Sequence, residues 1–331
     1  MKYKSVIVPH RGSPDVLQVI ENDLRTPSHE EVRIKVIAAP VCLPDIQARY
    51  GQSPFPPKTP FVPGYAIVGI VNAIGENVTD VAVGNRVASL TAYGGYSEYI
   101  FLKQNRLIHV PTNLDPADVA TIILNYVLAY QTLHRLAKVK TGNKILIIGA
   151  SGGIGTAYLQ LGRLANLQIY GIASKSKHAV LAEYGVMPID YRTQNFVEII
   201  RQLEPNGINA VFDGMGGEYI KQGISILQQG GVFVEYGNPI TFSGMLNLLF
   251  QVIFINLQPN GKRMKLYGNS SRINMQPFRE DWAILFKLLE ESKIKPVIHM
   301  KFPILEASQA NALLESGQVI GNVVLLSPEF L

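Results

Sequence analysis

The spacing of hydrophobic and polar positions changes near residue 144. Before it, short apolar runs at 32–37, 66–71 and 86–90 alternate with Gly- and Pro-bearing connections. Such runs predict the short strands of a β-barrel or sandwich. Residues 52–60, rich in proline, read as a stiffened loop. Asp115 followed by Pro116 predicts a helix start, since a side-chain acceptor precedes a proline whose missing N–H is not needed there. From 144 onward, apolar runs recur at 144–148, 168–172, 209–212 and 231–236, with helical stretches between them. That alternation predicts βαβ units and a parallel sheet. A helix rich in Leu, Phe and Ile at 281–290 leads to strand-like segments near 297–301 and 319–326. No internal repeat or low-complexity segment interrupts the pattern.

One segment fits neither texture. Residues 245–257 are apolar nearly all round, which predicts a buried helix or a contact between subunits. The same residues could wall a wide hydrophobic pocket or touch a membrane surface. Their low charge argues against a strong anchor, and membrane contact is not expected.

Composition narrows the class. At 331 residues, 47% apolar and 17% charged, the chain is globular and long enough for two domains. Its net charge of +5 is scattered. The densest basic patch, 262–265, is too short for a nucleic-acid footprint, so no nucleic-acid partner is expected. A single cysteine rules out an intrachain disulfide framework. No signal-like N-terminal segment and no membrane-length apolar run is present, and a soluble, cytoplasmic protein is expected.

The candidate chemistry begins at the turn 149–155, Gly-Ala-Ser-Gly-Gly-Ile-Gly, between an apolar run and an apolar helical stretch. This is the setting of a dinucleotide pyrophosphate site. The turn is tight, the backbone can approach closely, and the helix offers free N–H groups. Ser151, Gly152, Gly153, Ile154 and Gly155 would form that cradle, although the spacing is not the strict G-x-G-x-x-G. An NAD site places an acid about 20 residues further on, yet no Asp or Glu lies between Gly155 and Glu183. Ser174 and Lys177 stand there instead, which favours the 2′-phosphate of NADP(H).

The motifs at 124–131 (Leu-Asn-Tyr-Val-Leu-Ala-Tyr-Gln), 149–155, 211–217 (Val-Phe-Asp-Gly-Met-Gly-Gly) and 313–322 (Leu-Leu-Glu-Ser-Gly-Gln-Val-Ile-Gly-Asn) carry a family likeness. In this order the chain resembles the medium-chain dehydrogenase/reductase superfamily, in particular its zinc-free quinone oxidoreductases and their enoyl reductase relatives. The resemblance implies an α/β architecture. A GroES-like β-barrel catalytic domain would comprise residues 1–122 and 297–331, and a Rossmann domain with a doubly wound parallel sheet would bind NADP(H) over 123–296. A homodimer is also implied.

Zinc-dependent relatives pair a Cys-x-x-Asp motif with Gly-His-Glu. Here Cys42 and Asp45 are kept, but Tyr65 and Ala66 follow Gly64, and neither replaces imidazole and carboxylate as a ligand. No metal is expected. Without a Lewis acid, hydride from NADPH would have to reach an acceptor that is already electrophilic, a quinone or an α,β-unsaturated carbonyl compound. The resemblance places Tyr50, Ser53, Tyr65 and Asn125 on the substrate side, with water as an alternative proton source. It adds Tyr191, Gly237 and Asn322 to the cofactor set. Leu128 stands where Thr is usual and Asn322 where Lys is commoner. Two alternatives therefore stay open: an enoyl-thioester reductase acting on acyl-carrier or CoA chains, and a non-catalytic NADPH-binding protein that meets a partner or membrane.

Overall fold

The computed structural model describes residues 1–237, 239–271 and 273–331, which form two compact units. Met1–Leu124 and Ser270–Leu331 make the first, and Asn125–Asn269 the second.

The first unit is built on a mixed sheet. Its strand order is Ile298–Pro303, Asn322–Leu326, Glu31–Val41, Ala66–Ile74, Arg86–Leu90 and Ile108–His109, and Tyr99–Lys103 also pairs with Glu31–Val41. The 11-residue strand Glu31–Val41 alternates between half-buried and buried over its first half, then is buried throughout. One face of its early part therefore meets solvent, while its later part is covered on both sides. Val32, Ile34, Val36, Ile67, Val71, Val323 and Leu325 build the core, each stabilising the fold by roughly 1.5–3 kcal/mol through burial. The helix predicted at Asp115 is present as Pro116–Thr121, with Asp115 accepting from the N–H groups of Ala117 and Asp118.

The second unit is the expected parallel sheet. Its order is Met187–Asp190, Gln168–Ala173, Lys144–Ile148, Ile208–Asp213, Leu227–Glu235 and Arg263–Leu266. In chain order this is 3-2-1-4-5-6, the doubly wound dinucleotide-binding arrangement. Ile145, Leu146, Val211, Phe212 and Phe233 are wholly buried, because helices on both faces exclude water from a parallel sheet.

The two compact units divide at 269/270, whereas the sequence reading expects a domain boundary at 296/297. The helix Gln276–Glu290 belongs to the first unit, where buried Trp282 donates its indole N–H to the Ile123 carbonyl at 3.2 Å. The basic patch at 262–265 contains a sixth strand, with Arg263 exposed and Met264 buried. Basic side chains on an edge strand discourage further pairing.

The apolar segment is a helix, Phe242–Leu257, none of whose residues is fully buried. Only Leu248, Val252 and Ile255 pack on the sheet's core. The Asn256 side-chain amide donates to the Met264 carbonyl at 3.0 Å and accepts from its N–H at 2.9 Å, which clips the helix over the outer strand.

Candidate functional site

The glycine-rich turn leaves the strand Lys144–Ile148 through Gly149, whose φ of +79° suits glycine. Ala150 N–H donates to the Ile172 carbonyl and Gly152 N–H to Gly149, so the turn is folded against the neighbouring strand. Gly152 caps the helix Gly153–Leu164, and no side-chain hydrogen bond occupies that cap. The first N–H groups of a helix have no partner within it. Those of Gly153, Ile154 and Gly155 therefore offer donors and a positive dipole end to an anion. At Gly155 a Cβ would lie 2.4 Å from the Gly149 oxygen and 2.5 Å from the Ala150 carbonyl carbon and oxygen. Glycine is required there by the close approach of helix and turn.

The next two strands run parallel, with Ala173 opposite Asp190. This register sets Ser174 and Lys177 on one strand end and Tyr191 and Arg192 on the next. Lys177 is held below the ordinary lysine range, first by partial burial and then by the Arg192 guanidinium beside it. Two neighbouring cations are relieved by an anion. Arg192 also donates to the Tyr191 hydroxyl at 3.4 Å, with its guanidinium 5.6 Å from that ring's centre. The buried Asp190 carboxylate accepts from the Arg192 N–H and the Thr193 hydroxyl, so its own turn consumes it. Arg192 was missed by sequence reasoning. Its signal is that it follows Tyr191 directly at the end of a strand adjacent to Ser174.

A further feature gave no sequence signal. Asp213 and Glu235, paired across adjacent strands, are both buried at the strand ends. Asp213 accepts from the Met215 and Gly216 N–H groups, and Glu235 Oε1 from Gly237 N–H at 2.9 Å. Burial first, then the Asp213 carboxylate, pushes Glu235 up to about 9. Burial raises Asp213 as well, so the two adjacent carboxyls resist ionising together, and Glu235 is the one expected to keep a proton at neutral pH. Gly237 cannot bear a side chain, since its Cβ would meet the Gly214 oxygen at 2.6 Å.

The remaining expected residues are placed as follows. Asn125 is buried in the π-helical stretch Ile122–Tyr126. In the first unit, the Tyr50 hydroxyl donates to Glu315 Oε2 at 3.0 Å, and Glu315 also pairs with the buried Arg49. Ser53 accepts from the Phe55 N–H at 3.2 Å. Tyr65 lies beside Gly64, whose N–H donates to the buried Asp45. Asn322 is buried, and its side-chain amide donates to the Val297 carbonyl at 2.9 Å.

Residues at the zinc position do not fit a metal. The Cys42 thiol donates to Asp45 at 3.0 Å, and burial followed by that carboxylate pushes it well above the ordinary thiol range. The imidazole and carboxylate that would complete a zinc site beside it are replaced by Tyr65 and Ala66. Among the described residues no group of three or more His, Cys, Asp and Glu could hold a metal ion. Cys42 should therefore resist a thiol reagent such as Ellman's reagent in the folded protein and react fully after unfolding. Rapid reaction of the native protein would show an accessible thiolate instead.

Two family profiles match the chain. The "Alcohol dehydrogenase GroES-like domain" profile matches residues 28–112, and the "Zinc-binding dehydrogenase" profile matches 185–325. The synaptic vesicle membrane protein VAT-1 homolog of Rattus norvegicus is 30% identical over 313 residues, covering 91% of this chain and 78% of that protein. A quinone oxidoreductase of Lama guanicoe is 28% identical over 332 residues, covering 98% of this chain and 97% of its own. The crystal structure of the human VAT-1 homolog-like protein superposes with a TM-score of 0.85 at 25% identity, covering 99% of both chains.

Proposed function

The chain belongs to the medium-chain dehydrogenase/reductase superfamily, and from that premise we propose that it is a zinc-independent reductase that uses NADPH to reduce a quinone or an α,β-unsaturated carbonyl compound. The observation that carries this reading is the Lys177–Arg192 pair beyond an uncapped glycine turn. Bound there, the cofactor supplies a hydride.

The chain's own residues do the rest. N–H groups of Gly153, Ile154 and Gly155 hold the pyrophosphate, with Ser151 and Gly152 shaping the turn. Ser174, Lys177, Tyr191 and Arg192 take the 2′-phosphate as a charge-assisted set. Gly237 and the 213–217 loop stand at the same carboxyl edge of the sheet, where ligands of doubly wound folds bind. Asn322 completes the cofactor set. With Tyr65 and Ala66 at the metal position, the acceptor must delocalise incoming charge by itself, which selects conjugated substrates. Tyr65, Ser53, Tyr50 and Asn125 are assigned to the substrate. Because the Tyr50 hydroxyl is engaged by Glu315, its assigned role is to shape the loop, and water delivers the proton. The likeness to a full-length quinone oxidoreductase supports this choice.

The test follows NADPH oxidation against an ortho-quinone, a simple enone and an enoyl thioester, with NADH alongside. Turnover of the quinone or enone with NADPH well ahead of NADH is the expected result. Preference for the thioester would move the assignment to an enoyl-thioester reductase. No turnover despite NADPH binding would favour a non-catalytic role.

The phosphate set makes a separate prediction. Lys177→Ala and Arg192→Ala should each weaken NADPH binding by about tenfold or more, the scale of one charge-assisted hydrogen bond. NADH affinity should stay within about twofold. Equal losses for both nucleotides, read by fluorescence titration, would place these cations away from the 2′-phosphate.

A further inference from the structure

The helix Phe242–Leu257 carries two apolar faces. Leu248, Val252 and Ile255 pack inward, while Phe242, Leu246, Leu249, Phe250, Ile253, Phe254 and Leu257 form one stripe at helical spacing on the outer side. Phe250, Phe254 and Leu257 are 69%, 68% and 77% exposed. A stripe of this kind costs free energy in water and marks a surface that meets something apolar.

The surrounding charge identifies what covers it. No Asp or Glu occurs between Glu235 and Glu280, while Lys262, Arg263, Lys265, Arg272 and Arg279 do. The helix itself bears no charge. Exposed Arg263 donates to the Asn256 carbonyl at its C-terminal end, and Arg201 lies close enough to Lys262 to act on its ammonium. An apolar stripe within a stretch of chain whose only charged residues are cations matches an anionic bilayer, with its apolar interior beneath negative headgroups.

A second copy of the chain is a poorer match. In an antiparallel helix pair each cationic end would meet the positive N-terminus of the other helix, and in a parallel pair cation would meet cation. Extension of the sheet across its edge is also blocked at Met264, whose N–H and carbonyl are taken by Asn256.

We propose that the outer face of this helix docks on an anionic membrane surface, inserting Phe250 and Phe254 among the acyl chains while exposed Arg263 and Arg201 meet the headgroups. This is peripheral attachment, since among the described residues no helix is long and apolar enough to cross a membrane. It reverses the expectation, drawn from the segment's low charge, that membrane contact would be absent. The cations come from beyond the helix.

The experiment floats the full chain with vesicles of phosphatidylcholine alone or with about 30 mol % phosphatidylserine, at low and high salt. The wild type should float with the anionic vesicles, less with neutral ones and less at high salt. The double variant Phe250→Ser/Phe254→Ser should lose at least about tenfold in partitioning. Both side chains are exposed, so its melting temperature and NADPH binding should be unchanged. Arg263→Gln should reduce the preference for phosphatidylserine and leave neutral-vesicle binding alone. A wild type that stays out of both vesicle fractions overturns the proposal. So does a dimer, seen by light scattering, that the double variant dissociates, since the face would then pair with itself.

Discussion

Glu235→Gln should remove an alkaline instability that the wild-type protein carries. The ordinary Glu value is 4.5, and burial beside Asp213 raises it to about 9 in the folded chain. Folding therefore takes up a proton over that interval. The stability contributed by protonated Glu235 is complete below about pH 4.5 and is lost as pH rises through about 9. A shift of this size corresponds to several kcal/mol. Tyr158, Tyr219 and Tyr236 are the other titratable groups linked to the pair, and all three are raised as well. Among the described residues no cation is among the groups acting on either carboxyl.

Glutamine has the shape of a protonated glutamate. It keeps an acceptor for the Gly237 N–H and cannot ionise. Thermal melts from pH 5 to 9.5 should show the wild type losing stability steadily, and Glu235→Gln holding nearly level. Glu235→Ala should be weaker at every pH, because it leaves Gly237 N–H unpaired and a cavity beside Asp213. Parallel pH profiles for wild type and Glu235→Gln would show that Glu235 does not hold the proton.

Gly155→Val should abolish measurable NADPH binding and cost about 1–3 kcal/mol of stability. The atoms a Cβ would strike belong to the backbone of Gly149 and Ala150, which cannot swing aside as a side chain does. The helix must back away from the turn, and its free N–H groups lose the position that holds a pyrophosphate. Gly152→Ala is the control for stability. Its φ is −78°, and the nearest atom to its Cβ would be 3.6 Å away, so its melting temperature should stay near wild type. A Gly155→Val protein that binds NADPH normally would remove the turn from the site.

The cofactor half of the candidate site was legible because its signals are local. The glycines of 149–155 and the Ser174–Lys177 segment each occupy a few consecutive residues with definite backbone demands. The strand–helix alternation was legible too, since fully buried parallel strands read as continuous apolar runs. The sixth strand was not, because Arg263–Leu266 is short and its alternating charge resembles a basic patch. Arg192 escaped because its importance lies in a register, Ala173 beside Asp190, that joins residues distant in sequence. The Tyr50 contact with Glu315 spans 265 residues, which no local pattern encodes.

The clearest division runs through the helix Phe242–Leu257. Composition alone determined that it is apolar all round, and that the stretch from 236 to 279 carries only positive charge. Which apolar face packs and which meets solvent was decided by tertiary structure. Likewise the sequence by itself determined a dinucleotide fold, a glycine cradle and the loss of the zinc ligands. Only the folded chain decided that two carboxyls are buried side by side and that Lys177 and Arg192 follow the ends of adjacent strands. Backbone conformation and hydrophobic period are properties of neighbouring residues, whereas buried carboxyl pairs and neighbouring charges depend on distances that exist only after the strands have found their register.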